Sequence, residues 1–148
     1  MIISTPARAG VRNGVIVKRI AVLSLAAAAA TTGLGALAAA PASAASASAI
    51  CGSGYSVVDS QSLNGSTVYL SYSSSSGKNC VVTIKTRDVG SSTRTGAYLN
   101  VQGSAPIYES DNYTTYAGPV YANAAGKCVI WGGGTNYQYW YSDWSHCG

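Results

Sequence analysis

The sequence predicts an all-β domain after residue 44, built as a small antiparallel β-sandwich or barrel of about eight short strands and cross-linked by two disulfides. Three observations predict it. Apolar and polar residues alternate in short runs, which is typical of half-buried strands. Gly, Pro, Asn and Ser separate these runs at a spacing of about ten residues. Four cysteines, all downstream of residue 50, suit a small cross-linked domain.

Three runs show the clearest alternation, and each is predicted to be a strand with one buried face. Their apolar faces are Val68, Leu70 and Tyr72 in 67–72, Cys80, Val82 and Ile84 in 80–87, and Ala97, Leu99 and Val101 in 97–102. Lys85 and Arg87 point away from the second of these faces, and Tyr98 and Asn100 point away from the third. Shorter strands are predicted at 55–58, 107–110, 120–122, 128–131 and 137–141.

Turn chemistry separates the strands. Asn64-Gly65 is a strong signal for a two-residue hairpin turn. Polar loops are expected at 73–79 and 89–95, and Gly118-Pro119 and Ala125-Gly126 interrupt the later half. The tripeptide at 132–134 is all glycine, so we predict a flexible turn there before the last strand.

The first 44 residues have the order of a secretory signal peptide. A basic head containing Arg8, Arg12, Lys18 and Arg19 precedes an alanine-rich apolar run at 20–40. The small-residue pattern Ala42-x-Ala44 follows, and no stop-transfer charge cluster comes after it. We therefore predict a leader at 1–44, a short flexible N-terminus at 45–50, and a single β domain at 51–148. The exact cleavage bond stays open, because Ala45-Ser46-Ala47 and Ala47-Ser48-Ala49 also fit.

The charge of the whole chain is +4, but the excess belongs to the leader. Downstream, the basic residues Lys78, Lys85, Arg87, Arg94 and Lys127 balance the acidic residues Asp59, Asp88, Glu109, Asp111 and Asp143. A protein that binds nucleic acid needs a basic surface to neutralise phosphates. We therefore expect no nucleic-acid partner, and no membrane span once the leader is removed.

The four cysteines are Cys51, Cys80, Cys128 and Cys147. Export places them in an oxidising compartment, so we expect two disulfides. Three pairings are possible, and the local one, Cys51 with Cys80 and Cys128 with Cys147, is preferred. A zinc site is not expected, because there is no C-x-x-C and His146 is the only histidine. No cofactor motif is present.

A C-terminal aromatic cluster is the best candidate for a binding surface. It consists of Trp131, Tyr137, Tyr139, Trp140, Tyr141 and Trp144. On a strand Tyr137, Tyr139 and Tyr141 would share one face, with Trp140 on the other. Such rings can stack on sugars or pack against a partner. Because the chain has no Phe, some of them are also needed to fill the core.

Catalytic interpretations are weaker, and no catalytic residue is assigned. Ser145 and Asp143 lie near His146, but neighbours on an extended chain point apart, so adjacency alone does not make a triad. Glu109 and Asp111 would share a face of a strand, as paired carboxylates of a glycosidase can, yet such neighbours are commonly just solvated.

The region 51–148 resembles the spore-associated protein A family of Streptomyces and related actinobacteria. The matching stretches are CGSGYSVVD at 51–59, TVYL at 67–70, GKNCVV at 77–82, YAGPV at 116–120, GKCV at 126–129 with WGG at 131–133, and WSHCG at 144–148. The stretch 88–104 departs from the family's pattern, whereas the four cysteines match it. The resemblance implies export and association with spores or the aerial-growth surface, and it implies no reaction and no catalytic residues.

We therefore expect a secreted, non-catalytic protein at the spore or cell surface, whose partners would be spore-coat or cell-wall polysaccharide or surface proteins. One alternative is an extracellular carbohydrate-binding module that uses the C-terminal aromatic cluster. Another is a small secreted inhibitor of a protease or hydrolase, which would present a rigid loop such as 89–95.

Processing gives the first testable prediction. The mature protein should begin between Ala45 and Ile50, because the small-residue cleavage sites lie there. N-terminal sequencing of protein recovered from culture supernatant measures this directly. Secreted protein that still contains residues 20–40 would contradict the leader assignment.

Overall fold

A computed structural model describes residues 45–136 and 138–148. The predicted leader at 1–44 and Tyr137 lie outside the described residues. One helical turn, α1 (Ala47–Cys51), precedes eight strands. These are β1 (Ser56–Leu63), β2 (Ser66–Ser73), β3 (Lys78–Lys85), β4 (Thr93–Val101), β5 (Ile107–Tyr113), β6 (Tyr116–Asn123), β7 (Val129–Thr135) and β8 (Gln138–Tyr141).

The strands form two antiparallel sheets of four strands each, in the orders β1-β2-β3-β6 and β5-β4-β7-β8. One apolar core lies between them and takes residues from both sheets. Its buried members are Val68, Leu70, Val81, Ala97, Leu99, Val101, Val120, Ala124, Val129 and Trp131. The predicted all-β sandwich is therefore confirmed, and so are the inward faces predicted for β2 and β4, except that Tyr72 near the end of β2 is only half-buried and lies outside the core.

Strand β3 is buried on both faces, which its alternation alone did not indicate. Val81 belongs to the central core, together with residues of the second sheet. The face predicted to be buried, Cys80 and Val82, packs instead on the outer side of the first sheet against Cys51. Helix α1 and a disulfide cover that side.

The segment 45–50, expected to be a flexible lead-in, is partly helical. Ser46 caps α1 by accepting a hydrogen bond from the backbone N–H of Ala49 at 3.2 Å. Ala47 is buried at its start and Cys51 at its end. The helix is fixed by burial and by the Cys51 disulfide rather than by its own length, because five residues are too few to be stable alone.

The glycine tripeptide 132–134 is not a turn. It lies inside β7, where all three glycines are buried and pair with β4 and with β8. On the inner face, Thr83 Oγ1 of β3 donates a hydrogen bond to the carbonyl of Gly96 on β4 at 2.7 Å. A methyl group at Gly133 would overlap both atoms of that bond. Glycine is therefore required here for the two sheets to touch.

Lys85 closes one end of the sandwich. Its side chain is 4% exposed, and its ammonium donates to the carbonyls of Asp88 at 2.9 Å, Ser91 at 2.6 Å and Tyr113 at 3.4 Å. These three acceptors match the three N–H donors of an ammonium group. The bonds hold the loop between β3 and β4 against the end of β5, so this polar loop is anchored.

The two disulfides join Cys51 to Cys80 and Cys128 to Cys147, which is the pairing preferred from the sequence. They close segments of 29 and 19 residues. The first attaches α1 to the outer side of β3. The second attaches the C-terminal segment to the residue before β7, where Ser145 also pairs with Val129.

Replacing Cys128 by Ser should lower the free energy of unfolding by about 3 kcal/mol, because the unfolded chain regains the freedom that a closed loop of this length removes. It should also leave Cys147 open to thiol reagents. Thiol labelling of the denatured, unreduced protein counts the free cysteines in the variant and in the native sequence. The native sequence should take up no label, and two or more labelled sites there would contradict the two-disulfide structure.

Replacing Lys85 by Met should lower the free energy of unfolding by about 2–3 kcal/mol, because it removes charged hydrogen bonds and leaves carbonyls without a partner. Lys78→Met is the matched control, since Lys78 lies exposed on the same strand, and its effect should stay within about 0.5 kcal/mol. Urea unfolding followed by fluorescence measures both. Equal effects of the two substitutions would contradict the anchoring role of Lys85.

Candidate functional site

The outer face of the second sheet presents a row of tyrosines that crosses all four of its strands. The register pairs Tyr108 of β5 with Tyr98 of β4, Tyr98 with Gly132 of β7, and Gly132 with Tyr141 of β8. Residues paired across antiparallel strands point to the same face. The three tyrosines therefore lie in line, with one glycine between the second and the third.

A second row runs beside the first. It consists of Ser110, Gly96, Gly134 and Tyr139, again in register from β5 to β8. Tyr139 Oη lies 3.5 Å from Ser110 Oγ, so its ring spans both glycines. We call the depression between these rows the tyrosine groove, defined by Tyr98, Tyr108, Tyr139 and Tyr141 with Ser110 and the glycines beneath them.

The glycines let the tyrosine rings lie down against the sheet. A methyl group at Gly132 would lie 2.7 Å from Cδ1 of Tyr141, and one at Gly96 would lie 3.1 Å from Cε1 of Tyr139. Both distances are shorter than an ordinary contact between carbon atoms, which is about 3.5–4.0 Å. The rings of Tyr139 and Tyr141 therefore lie against the backbone, and they line the groove together with Gly96 and Gly133.

The groove is open to solvent and has a volume of about 430 Å³. Tyr108 is 73% exposed and Tyr141 is 51% exposed, whereas Tyr98 and Tyr139 are half-buried. Tyr98 and Tyr141 meet edge to face, with ring centroids 5.1 Å apart. Arg94 is exposed beside them at the end of the groove. This volume lies within the range of small-ligand pockets, roughly 300–1,000 Å³.

The Tyr141 hydroxyl is protonated at neutral pH, as an ordinary tyrosine is, and its surroundings favour that form further. Burial raises its pKa above the usual value, and the neighbouring Tyr139 and Tyr98 raise it further. The protonated form can both donate and accept a hydrogen bond. At neutral pH the groove therefore offers, beside an apolar ring, a hydroxyl that can donate or accept a hydrogen bond.

The C-terminal aromatic cluster does not form one surface. Tyr139 and Tyr141 line the tyrosine groove, but Trp131 and Trp140 pack inside, with ring centroids 4.9 Å apart. Trp144 is 48% exposed and does not line the groove. Tyr137 lies outside the described residues. The cluster thus divides between the core and the outer face of the sheet.

The tyrosines that sequence reasoning missed are Tyr98 and Tyr108. Tyr98 lies between the buried Ala97 and Leu99, so its outward direction follows from the alternation of β4. Its position opposite Tyr108 and one strand from Gly132 follows only from the register of three strands. No local pattern contains that information.

His146 does contact Ser145, contrary to the expectation from adjacency. Its φ of 50° turns the backbone, and Nδ1 lies 3.1 Å from Ser145 Oγ. Nε2 lies 3.5 Å from Asp59 Oδ2 on β1. The three side chains form a row at the surface. The backbone N–H of Ser145 is already bonded to the Val129 carbonyl at 2.9 Å, so it cannot stabilise an oxyanion as the N–H of a nucleophilic serine does.

Of the two neighbouring carboxylates on β5, Glu109 is engaged with a tyrosine hydroxyl. Glu109 accepts a hydrogen bond from the Tyr113 hydroxyl, and this bond is the main cause that raises the pKa of Tyr113 to about 12. Burial and the charges of Glu109 and Asp111 contribute to the same rise. Within residues 45–136 and 138–148, no group of three or more His, Cys, Asp or Glu side chains is placed to hold a metal ion.

Comparison with known proteins gives one informative match. No family model matches the chain, and no solved structure matches it. Spore-associated protein A of Streptomyces coelicolor is 47% identical over 102 residues, which is 67% of this chain and 65% of the relative. The chain thus matches slightly less than two thirds of the relative's length. This identity, together with the resemblance of the motifs around its four cysteines, places the chain in the spore-associated protein A family.

Proposed function

We propose that this chain is exported, loses its leader, and acts without catalysis as a component of the spore or cell surface. The observation on which this depends most is its membership of a family whose curated relative is named for its association with spores. Two disulfides in a small β-sandwich support an oxidising location. Within the described residues, no helix has the length and apolar character needed to cross a bilayer.

The helix α1 supports one cleavage site over the others. Ser46 caps α1, and Ala47 is buried beneath it. Cleavage after Ala47 or Ala49 would remove the cap and part of the helix. Cleavage after Ala44 would keep both, so we propose this bond within the window that the sequence allows.

The absence of catalysis is supported by the state of the best catalytic candidates. Ser145 has its N–H engaged, and its hydroxyl also lies 3.5 Å from the Val129 carbonyl. The side chains of His146 and Asp59 are 30% and 47% exposed, so water competes for their contact. Such a row suits a polar surface contact that links β1 to the C-terminal segment.

The structure offers less support for an inhibitor. Part of the loop expected at 89–95 belongs to β4, which begins at Thr93. The remainder is held back against the sandwich by Lys85. An inhibitory loop normally projects into a protease cleft. In this loop Val89 is the apolar residue that is exposed, with 59% of its surface accessible.

The experiment follows the full chain, tagged after Gly148, in a sporulating Streptomyces host. We expect the tagged protein in washes of the spore or mycelial surface, without its leader and with all cysteines oxidised. A matched chain that begins at Ala45 should stay in the cytoplasm, because it lacks the export signal. Full-length protein found in the cytoplasm with free thiols would overturn the proposal.

A further assay tests the absence of catalysis. Protein purified from the supernatant should not hydrolyse nitrophenyl esters or glycosides above buffer. Ser145→Ala and Glu109→Gln variants are the matched controls for contaminating enzymes, since each removes one candidate group. Hydrolysis by the native protein that disappears in either variant would show an enzyme.

A further inference from the structure

The tyrosine groove has no role in packing the core, so core packing does not explain why tyrosines line it. The aromatic mass between the sheets comes from Trp131 and Trp140. The four groove tyrosines lie on the opposite side of the second sheet, where the rings of Tyr108 and Tyr141 are more than half exposed. An outer face that only needed solubility would present charged or small polar residues there.

The shape of the groove fits an extended chain. The row Tyr108, Tyr98, Gly132 and Tyr141 crosses four adjacent strands, which at about 4.8 Å between strands is roughly 14 Å from first to last. Gly132 is buried between Tyr98 and Tyr141, which lets the Tyr141 ring lie close to the sheet at that point. A flat ligand laid across the strands would therefore contact aromatic rings along its length.

The chemistry of the groove selects among ligands. Its walls combine flat apolar rings with hydroxyl groups of Tyr139, Tyr141 and Ser110, and the charged residues of its lining, Arg94 and Glu109, have opposite signs. A pyranose ring has the complementary surface, with an apolar face of C–H groups and an edge of hydroxyls. Nucleic acid would need several cations along its path, and Arg94 alone does not provide them. A lipid tail would need an enclosed apolar cavity rather than an open groove.

We propose that the tyrosine groove binds a neutral polysaccharide chain, with Tyr108 and Tyr141 stacking on its sugar rings. That the polysaccharide belongs to the cell or spore surface rests on the function proposed above. Binding of this kind would hold a non-catalytic domain on the surface without a covalent anchor. It differs from the binding surface predicted from sequence, because neither core tryptophan takes part and Tyr98 and Tyr108 do.

The test uses protein that is secreted from the full-length chain and purified from the supernatant. Retention is measured on insoluble cellulose, on chitin, and on Streptomyces wall polysaccharide with and without prior protease treatment. We expect retention on at least one of these polymers after protease treatment, with elution by the matching soluble oligosaccharide. Retention only on untreated wall would mean that the partner is a protein, and it would overturn the inference.

Variants locate the site. Tyr108→Ala and Tyr141→Ala should each weaken retention roughly three- to tenfold, the effect of losing one stacked ring. Tyr108→Phe should keep most of the binding, because it keeps the ring. Trp144→Ala is the control, since Trp144 is exposed to a similar extent but lies outside the groove. Thermal unfolding of each variant checks that the fold is intact.

The outcomes separate this inference from the proposed function. Surface-located protein that no polysaccharide retains would overturn the groove assignment and leave the surface role standing. Equal losses for Trp144→Ala and Tyr108→Ala would also overturn it. Protein that stays in the cytoplasm would overturn the surface role, whatever its purified form binds.

Discussion

The architecture depends on the absence of side chains on β7 between Trp131 and Thr135. On the inner face, Gly133 leaves room for the hydrogen bond that Thr83 of the first sheet donates to Gly96 of the second. On the outer face, Gly132 and Gly134 lie beneath the rings of the tyrosine groove. Any side chain at Gly133 would push the sheets apart, and one at Gly132 would lift Tyr141 off the sheet. One glycine tract therefore sets both the thickness of the sandwich and the shape of its surface.

The rest of the core is adapted to this close contact. With no Phe in the chain, its bulk comes from small aliphatic residues and from the edge-to-face pair Trp131 and Trp140. A core of this size gives limited stability. Lys85 and the two disulfides supplement it where the sandwich would otherwise open, namely at the loop after β3, at the outer side of β3, and at the C-terminal segment.

The division of aromatic residues between inside and outside links the fold to its proposed role. Tryptophans with buried rings stabilise the domain, and tyrosines on the far side of the same sheet face the solvent. A rigid sheet holds those rings at fixed spacing, so a ligand that stacks on them loses its own freedom but requires little ordering of the protein. This arrangement suits the polysaccharide binding proposed for the groove.

The sequence alone determined the properties that depend on neighbouring residues. Alternation predicted the strands and the inward faces of β2 and β4, and cysteine spacing indicated the pairing that the structure has. Tertiary structure decided whatever depends on contacts between distant segments. Helix α1 covers the second face of β3. Pairing with β4 and β8 places residues 132–134, predicted to be a turn, inside a strand. Register also brings Tyr98 and Tyr108 together with Tyr141, which lies 33 positions later than Tyr108 in the chain. Glycine permits a turn and a close approach equally well, because both need the space a side chain would fill, and only the neighbouring strands determine which one occurs.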